Sequence, residues 1–340
     1  MRVIGIDPGT VSIDLCGLDN GRLFLDRTLP TADALANPST LIELLDSAGP
    51  LDLIAGPSGY GLPLKAARDL TDADLRLAYL AAEGESGGIG GLRALMRALS
   101  KTSMPVLLTP GVIHLPSVPD HRKVNRVDMG TADKVCAVAL ALHEEAIRGK
   151  CRVSDLSFIL LELGGAFTAA VAVDHGKIVD GAGGTSGAIG LRASGALDGE
   201  VAFLAGTVSK AMLFQGGVAD ITSADAWEAY FESVVKAVAM LSVSTPDVAQ
   251  VILSGRSSAG RVHEELARRL PHPVRRLIGF SKFAKHAAQG AAVIADGLAA
   301  EKGTVSAEVV ESLALREASG TVLDHLHVIS PAIARARIGL

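Results

Sequence analysis

Three stretches of the chain place an acidic or small polar residue beside glycine where an apolar run ends. They are "GIDPGT" at 5–10, "LELGGAFT" at 161–168 and "ILSGRSSAG" at 252–260. A strand end needs no carboxylate for folding, whereas a metal-bound phosphate does. A glycine loop after a strand turns backbone N–H groups outward, where phosphate oxygens accept from them. The expected phosphate cradle is therefore Gly9 and Thr10 in the first loop and Gly164, Gly165 and Thr168 in the second. Asp7 would face Mg²⁺, directly or through water, because magnesium takes oxygen ligands and keeps several waters. Glu162 holds the corresponding place in the second loop, where the alternative is a strand residue paired to a Lys or Arg.

Other candidates carry an ordinary structural reading beside the chemical one. Asp128 in "NRVDMGTADK" is either a carboxylate facing the reacting centre or a favourable partner for a helix N-terminus. Arg122 and Arg126 in "DHRKVNRVD" either hold an anionic substrate or are solvated. Asp198 and Glu200 in "LDGEV" either contact the transferred phosphoryl group or its metal, or belong to a turn. Gly255 suits close approach of a nucleotide, and Arg256 either stacks on adenine or covers surface. Gly290 lies inside a small-residue helical stretch. There a glycine costs about 1 kcal/mol against alanine, so close passage of another backbone is expected.

The elements that position these residues read as α/β. Val3–Ile6, Ser12–Leu18 and Arg22–Arg27 are expected strands, the last two joined by a tight Asn20-Gly21 turn. A long helix starts after Asp128 and runs to about Arg148. The pattern then restarts: "SFILLELGGAFTAAVAVDHGKIVDGAGG" gives three more strands with a His-Gly turn. An acidic residue, then glycines, between two strands of a meander thus occurs in both halves, which is an internal repeat at the level of architecture.

Composition narrows the classes. At 340 residues the chain suits two domains. A net charge of −5 and 4% aromatics argue against nucleic acid as a partner. Three widely spaced cysteines form no metal knuckle and no even disulfide set, so a reducing, cytoplasmic setting is expected. The apolar run at the N-terminus is too short for a signal peptide, and every long apolar stretch is interrupted, so no membrane span is expected.

These motifs resemble those of the actin, acetate/sugar kinase and heat-shock chaperone ATPase superfamily. "GIDPGT" is similar to its first phosphate loop and "LELGGAFTAAVAV" to its second. "VILSGRSSAG" resembles its adenosine loop and "HAAQGAAVIADG" its second connecting helix. "GGTSGAIGLRASGALDGEVAFL" and "NRVDMGTADKV" most resemble the group called predicted butyrate kinases. The chain differs in having Glu162 where the second loop usually begins with Asp, and Asp7 where acetate kinases usually carry Asn. The resemblance implies two α/β domains of duplicated ribonuclease-H-like, actin-like ATPase fold with a nucleotide cleft between them. Residues 1–135 would form the acceptor-side domain, 136–300 the nucleotide-side domain, and 301–340 a segment returning to the first. It adds Gly184 and Ser254 to the nucleotide set, with Asp198, Glu200, Gly255, Arg256 and Gly290.

The implied activity is ATP- and Mg²⁺-dependent phosphorylation of a small carboxylic acid, with Asp7, Asp128, Arg126 and Arg122 as catalytic candidates. A sugar or alcohol kinase and a nucleotide-driven switch ATPase are the alternatives. A homodimer is also possible by the same resemblance.

Overall fold

The computed structural model describes residues 1–9, 11–57, 59–80 and 88–340. Thr10 lies outside them, so its expected phosphate contact is not described. The chain divides into two compact units. The first comprises Met1–Val127, Thr131–Val153 and Gly279–Leu340, and the second Asp128–Gly130 with Ser154–Ile278. The long helix after Asp128 and the helix carrying Gly290 thus belong to the first unit, whereas the sequence reading grouped 136–300 with the second half.

The first unit is built on β1 (Arg2–Pro8), β2 (Ser12–Asp19), β3 (Arg22–Pro30), β4 (Leu53–Pro57), β5 (Lys65–Ala66) and β6 (Val106–Thr109). Their order is β3-β2-β1-β4-β6-β5. β1 and β2 are antiparallel, as are β2 and β3, while β4 runs parallel to β1. Asn20 and Gly21 take φ of 47° and 74°, the double left-handed conformation a two-residue hairpin turn demands. The helices Ala132–Gly149 and His286–Ala299 pack in this unit, the second of them on β1. The contact is so close that a side chain at Gly5 would collide with the backbone of Ala288 and Ala292.

The second unit is built on β7 (Phe158–Leu163), β8 (Thr168–Asp174), β9 (Lys177–Ala182), β10 (Gln250–Ser254) and β11 (Val274–Arg276), in the order β11-β10-β7-β8-β9. This repeats the β6-β4-β1-β2-β3 order of the first unit, with the same antiparallel meander and the same parallel neighbour. The repeat extends to detail. His175 and Gly176 form a second left-handed turn, with φ of 48° and 75°. Both meanders carry a register shift just before the turn, at Gly17/Leu18 and at Ala172/Val173. Its core joins strand residues such as Ile159, Leu161 and Leu253 to Tyr230, Phe231 and Leu241 of the helix Ala226–Ser242 and Leu266 of Arg261–Arg269.

Candidate functional site: the two acidic tips

Asp7 ends the buried part of β1, and the register sets Asp14 of β2 directly opposite. Like charges facing each other across a strand pair destabilise it, so a cation is required nearby. Lys285 Nζ supplies it, 2.7 Å from Asp14 Oδ2 and 3.9 Å from Asp7 Oδ2. Asp14 is further held by Ser12 Oγ at 2.9 Å and Thr28 Oγ1 at 2.7 Å. Asp133, at the start of the helix Ala132–Gly149, is paired to Lys134 Nζ at 2.6 Å and accepts from Thr131 Oγ1.

Asp7 is different. It is 8% exposed, and among the described residues its carboxylate accepts no hydrogen bond. Burial, and then the charges of Asp133 and Asp14, push its pKa up to about 7 against the pull of Lys285 and Lys134. A buried carboxylate without donors is what a cation-facing group looks like before the cation arrives. Among the described residues no three His, Cys, Asp or Glu side chains converge as a metal cage. Asp7, whose cationic neighbour Lys285 stays 3.9 Å away, is the carboxylate of this tip that could hold a hydrated metal ion.

Gly9 departs from the sequence expectation. Its N–H is used inside the turn, donating to Asp7 O and Ser12 O, both at 3.0 Å. It shapes the tip, and is not an open donor for phosphate.

In the second unit Glu162 lies on β7, opposite Ala169 of β8 and Ser254 of β10. The Gly164 N–H donates to Phe167 O at 3.0 Å, closing the turn on itself. Thr168 is buried and begins β8, paired across the ladder with Leu163, so its backbone belongs to the sheet and not to the open turn. Gly165 is exposed, and its N–H has no partner among the described residues.

Gly255 takes φ of 90°, and a side chain there would collide with Leu163 O and stand 2.7 Å from Glu162 Oε1. Glycine is thus required where the chain leaving β10 crosses the end of β7, and Ser257 N–H ties the crossing to Leu163 O at 3.0 Å. Ser254 is fully buried and Arg256 is exposed.

Asp128 is not at a helix start: that helix begins at Ala132 after Thr131. Its Oδ2 accepts from Thr185 N at 3.0 Å and Thr185 Oγ1 at 2.9 Å, and its Oδ1 from Gly130 N at 3.3 Å. Its carbonyl accepts from Gly183 N at 3.0 Å and from Ser186 Oγ. Asp128 clamps the "GGTS" loop, and Gly183 lacks a side chain because the Asp128 carboxylate fills that space. Gly184 lies against Phe167, where a Cβ would be 2.6 Å from that residue's own.

Arg122 and Arg126 are half-buried, and each has an interaction within the protein. Asp198 caps the exposed helix Gly199–Ala205 by accepting from Glu200 N and Val201 N, and Glu200 lies in the first turn of that helix. Gly290 is consumed by packing. Any side chain there would meet the Cys136 carbonyl, which meets the expectation of a passing backbone but leaves no space for a ligand.

Over residues 5–328 the chain matches the family described as "Protein of unknown function (DUF1464)". The chain belongs to this family. No curated protein matches it. Among solved structures it is similar to acetate kinase from Porphyromonas gingivalis, with a TM-score of 0.58 and 12% identity over 85% of this chain and 98% of that one. Acetate kinase from Entamoeba histolytica gives 0.57 and 10% over 79% and 86%. A ROK family glucokinase from Streptomyces griseus, solved with glucose and AMPPNP, is more distant at 0.45 and 14% over 87% and 99%. At these identities the likeness is one of fold. This DUF1464 member has the α/β architecture of the actin-like ATPase superfamily, with the sheet order duplicated.

Proposed function

We propose that this DUF1464 protein is an ATP- and Mg²⁺-dependent phosphotransferase whose acceptor is a small carboxylic acid. The observation that carries this reading is Asp7: a buried carboxylate without a hydrogen-bond donor, at the tip of a meander that the second unit repeats. In a chain with an acetate kinase fold, that tip is assigned to the metal-bound polyphosphate.

An acceptor carboxylate oxygen attacks the γ-phosphorus, the bond to the β-phosphate oxygen breaks, and acyl phosphate and ADP leave. Bound Mg²⁺ supplies charge neutralisation on the polyphosphate. The protein's own part is positioning and electrostatics. Asp7 would hold a metal-bound water, while Asp14 is kept neutralised by Lys285.

A carboxylic acid with a pKa of about 4 is already ionised at neutral pH, so its transfer needs no general base. That agrees with Asp128, whose carboxylate is spent on three hydrogen bonds within its own unit. An alcohol acceptor would require a general base.

The test is ADP release from Mg²⁺-ATP against a panel of short acids, sugars and alcohols, paired with thermal shifts for co-binding. Stimulation by one class of acid is expected. A sugar or alcohol as the stimulating partner, or slow hydrolysis indifferent to every acceptor, would overturn the acyl-kinase reading.

A further inference from the structure

The cation at the first tip, Lys285, does more than neutralise Asp14. Lys285 immediately precedes the helix His286–Ala299, and its side chain is 36% exposed. Its ammonium donates to Asp14 Oδ2 at 2.7 Å and to Ser12 O at 3.3 Å. A side chain at Gly9 would bring its Cβ to 2.9 Å from Nζ, so the ammonium occupies the space that glycine leaves at the tip. An ammonium has three N–H donors. Two are spent on described residues; Asp7, at 3.9 Å, is beyond hydrogen-bond reach, which leaves one without a partner among the described residues.

The approach of Lys285 is built from another strand. Asp26 of β3 accepts from Ser281 Oγ at 2.6 Å, Lys282 N at 2.8 Å, Phe283 N at 3.2 Å and Ala284 N at 2.9 Å. These are the four residues directly before Lys285. Burial acts to raise the Asp26 pKa, but these donors outweigh it and hold the carboxyl below the usual range. The clamp fixes where the chain enters the helix, and therefore where a long and otherwise flexible side chain begins.

An anion cannot settle on a tip that presents Asp7 and Asp14 unless the tip also carries positive charge. We propose that Lys285, whose ammonium lies at the first tip, contacts the terminal phosphate of the bound nucleotide, and that Asp26 is the positioning residue that aims it. The inference rests on the nucleotide reading above and adds to it a fixed cation besides the metal.

The test is titration calorimetry with ATP and AMP, in Mg²⁺, on four proteins. These are the unaltered chain, Lys285→Met, Lys285→Met combined with Asp14→Asn, and Asp26→Asn. A charge-assisted phosphate contact predicts a loss of roughly 10- to 100-fold for ATP with Lys285→Met, and unchanged AMP affinity. The charge-balanced double variant decides the matter if the single one does not fold. Asp26→Asn is expected to lose ATP preference less severely and to speed amide exchange at 282–284, changes that rigid loss of stability alone would not confine to ATP. A folded Lys285→Met protein that keeps the full preference for ATP over AMP sinks this inference and leaves the kinase reading standing. If the unaltered chain takes up no adenine nucleotide, the kinase reading itself falls and this inference with it.

Discussion

The tip residues of the first unit divide their tasks sharply. Asp14 is satisfied by two hydroxyls and an ammonium, whereas at Asp7 burial and like charge outweigh the pull of Lys285 and Lys134. The pKa of Asp7 is raised, so the folded chain holds a proton there that the unfolded chain has already released between about pH 4 and 7. Its ionisation therefore lowers stability progressively as pH climbs through that window. Asp7→Asn is expected to stabilise the protein at pH 8, on the order of 2 kcal/mol in denaturant melts, and to flatten that decline. The same variant is expected to lose the Mg²⁺-dependent part of ATP binding, since a destabilised carboxylate retained at a tip marks function rather than fold. An Asn variant no more stable than the parent at pH 8 would show that Asp7 is already compensated. Asp7 could be found in the sequence because Asp-Pro-Gly closes an apolar run. Asp14 could have been found by folding "DPGTVSID" about its tip, which sets the two acids opposite each other. Lys285 could not: it is 278 residues from Asp7, and nothing local to "SKFAKH" marks it.

At the scale of elements, short apolar runs and the Asn-Gly and His-Gly turns made both meanders legible, because hairpin register follows from neighbours in the chain. The clamp made by Asp128 was not, since it joins residues 57 apart by hydrogen bonds that leave no periodic trace. The same blindness applied to the glycines. A loop rich in glycine reads as a phosphate cradle, yet Gly183 and Gly184 are small because Asp128 and Phe167 lie against them. This gives a discriminating variant. Asp128→Ala strands the donors of Gly130 and Thr185, and is expected to cost about 3 kcal/mol, with faster amide exchange confined to 183–186. Asp128→Asn keeps one accepting oxygen and should cost less. Should Asp128→Asn leave stability and exchange untouched while abolishing turnover, the carboxylate is a base after all and an alcohol becomes the favoured acceptor.

At the scale of the whole chain the two units differ in how they are assembled, although their sheets share an order. The second is drawn from one continuous segment, Ser154–Ile278, apart from the Asp128–Gly130 clamp. The first needs three segments, the last of which supplies the helix His286–Ala299 that covers β1 and meets the Cys136 carbonyl at Gly290. Truncation after Ile278 therefore removes a covering element from the first sheet and nothing from the second. The single tryptophan separates the two outcomes: Trp227 lies in the second unit, stacked near Phe231 with ring centroids 5.7 Å apart. In the truncated chain, Trp227 fluorescence is expected to keep a cooperative thermal transition. The circular-dichroism amplitude should fall by more than the missing helices account for, because the first sheet cannot bury β1 without its helix. A fragment of residues 154–278 alone is expected to reproduce that fluorescence transition, with the 183–186 amides unprotected for want of Asp128. Simultaneous loss of the Trp227 transition and of the first unit's signal on truncation would mean that the units fold as one, and that the repeated sheet order reflects ancestry without independent stability.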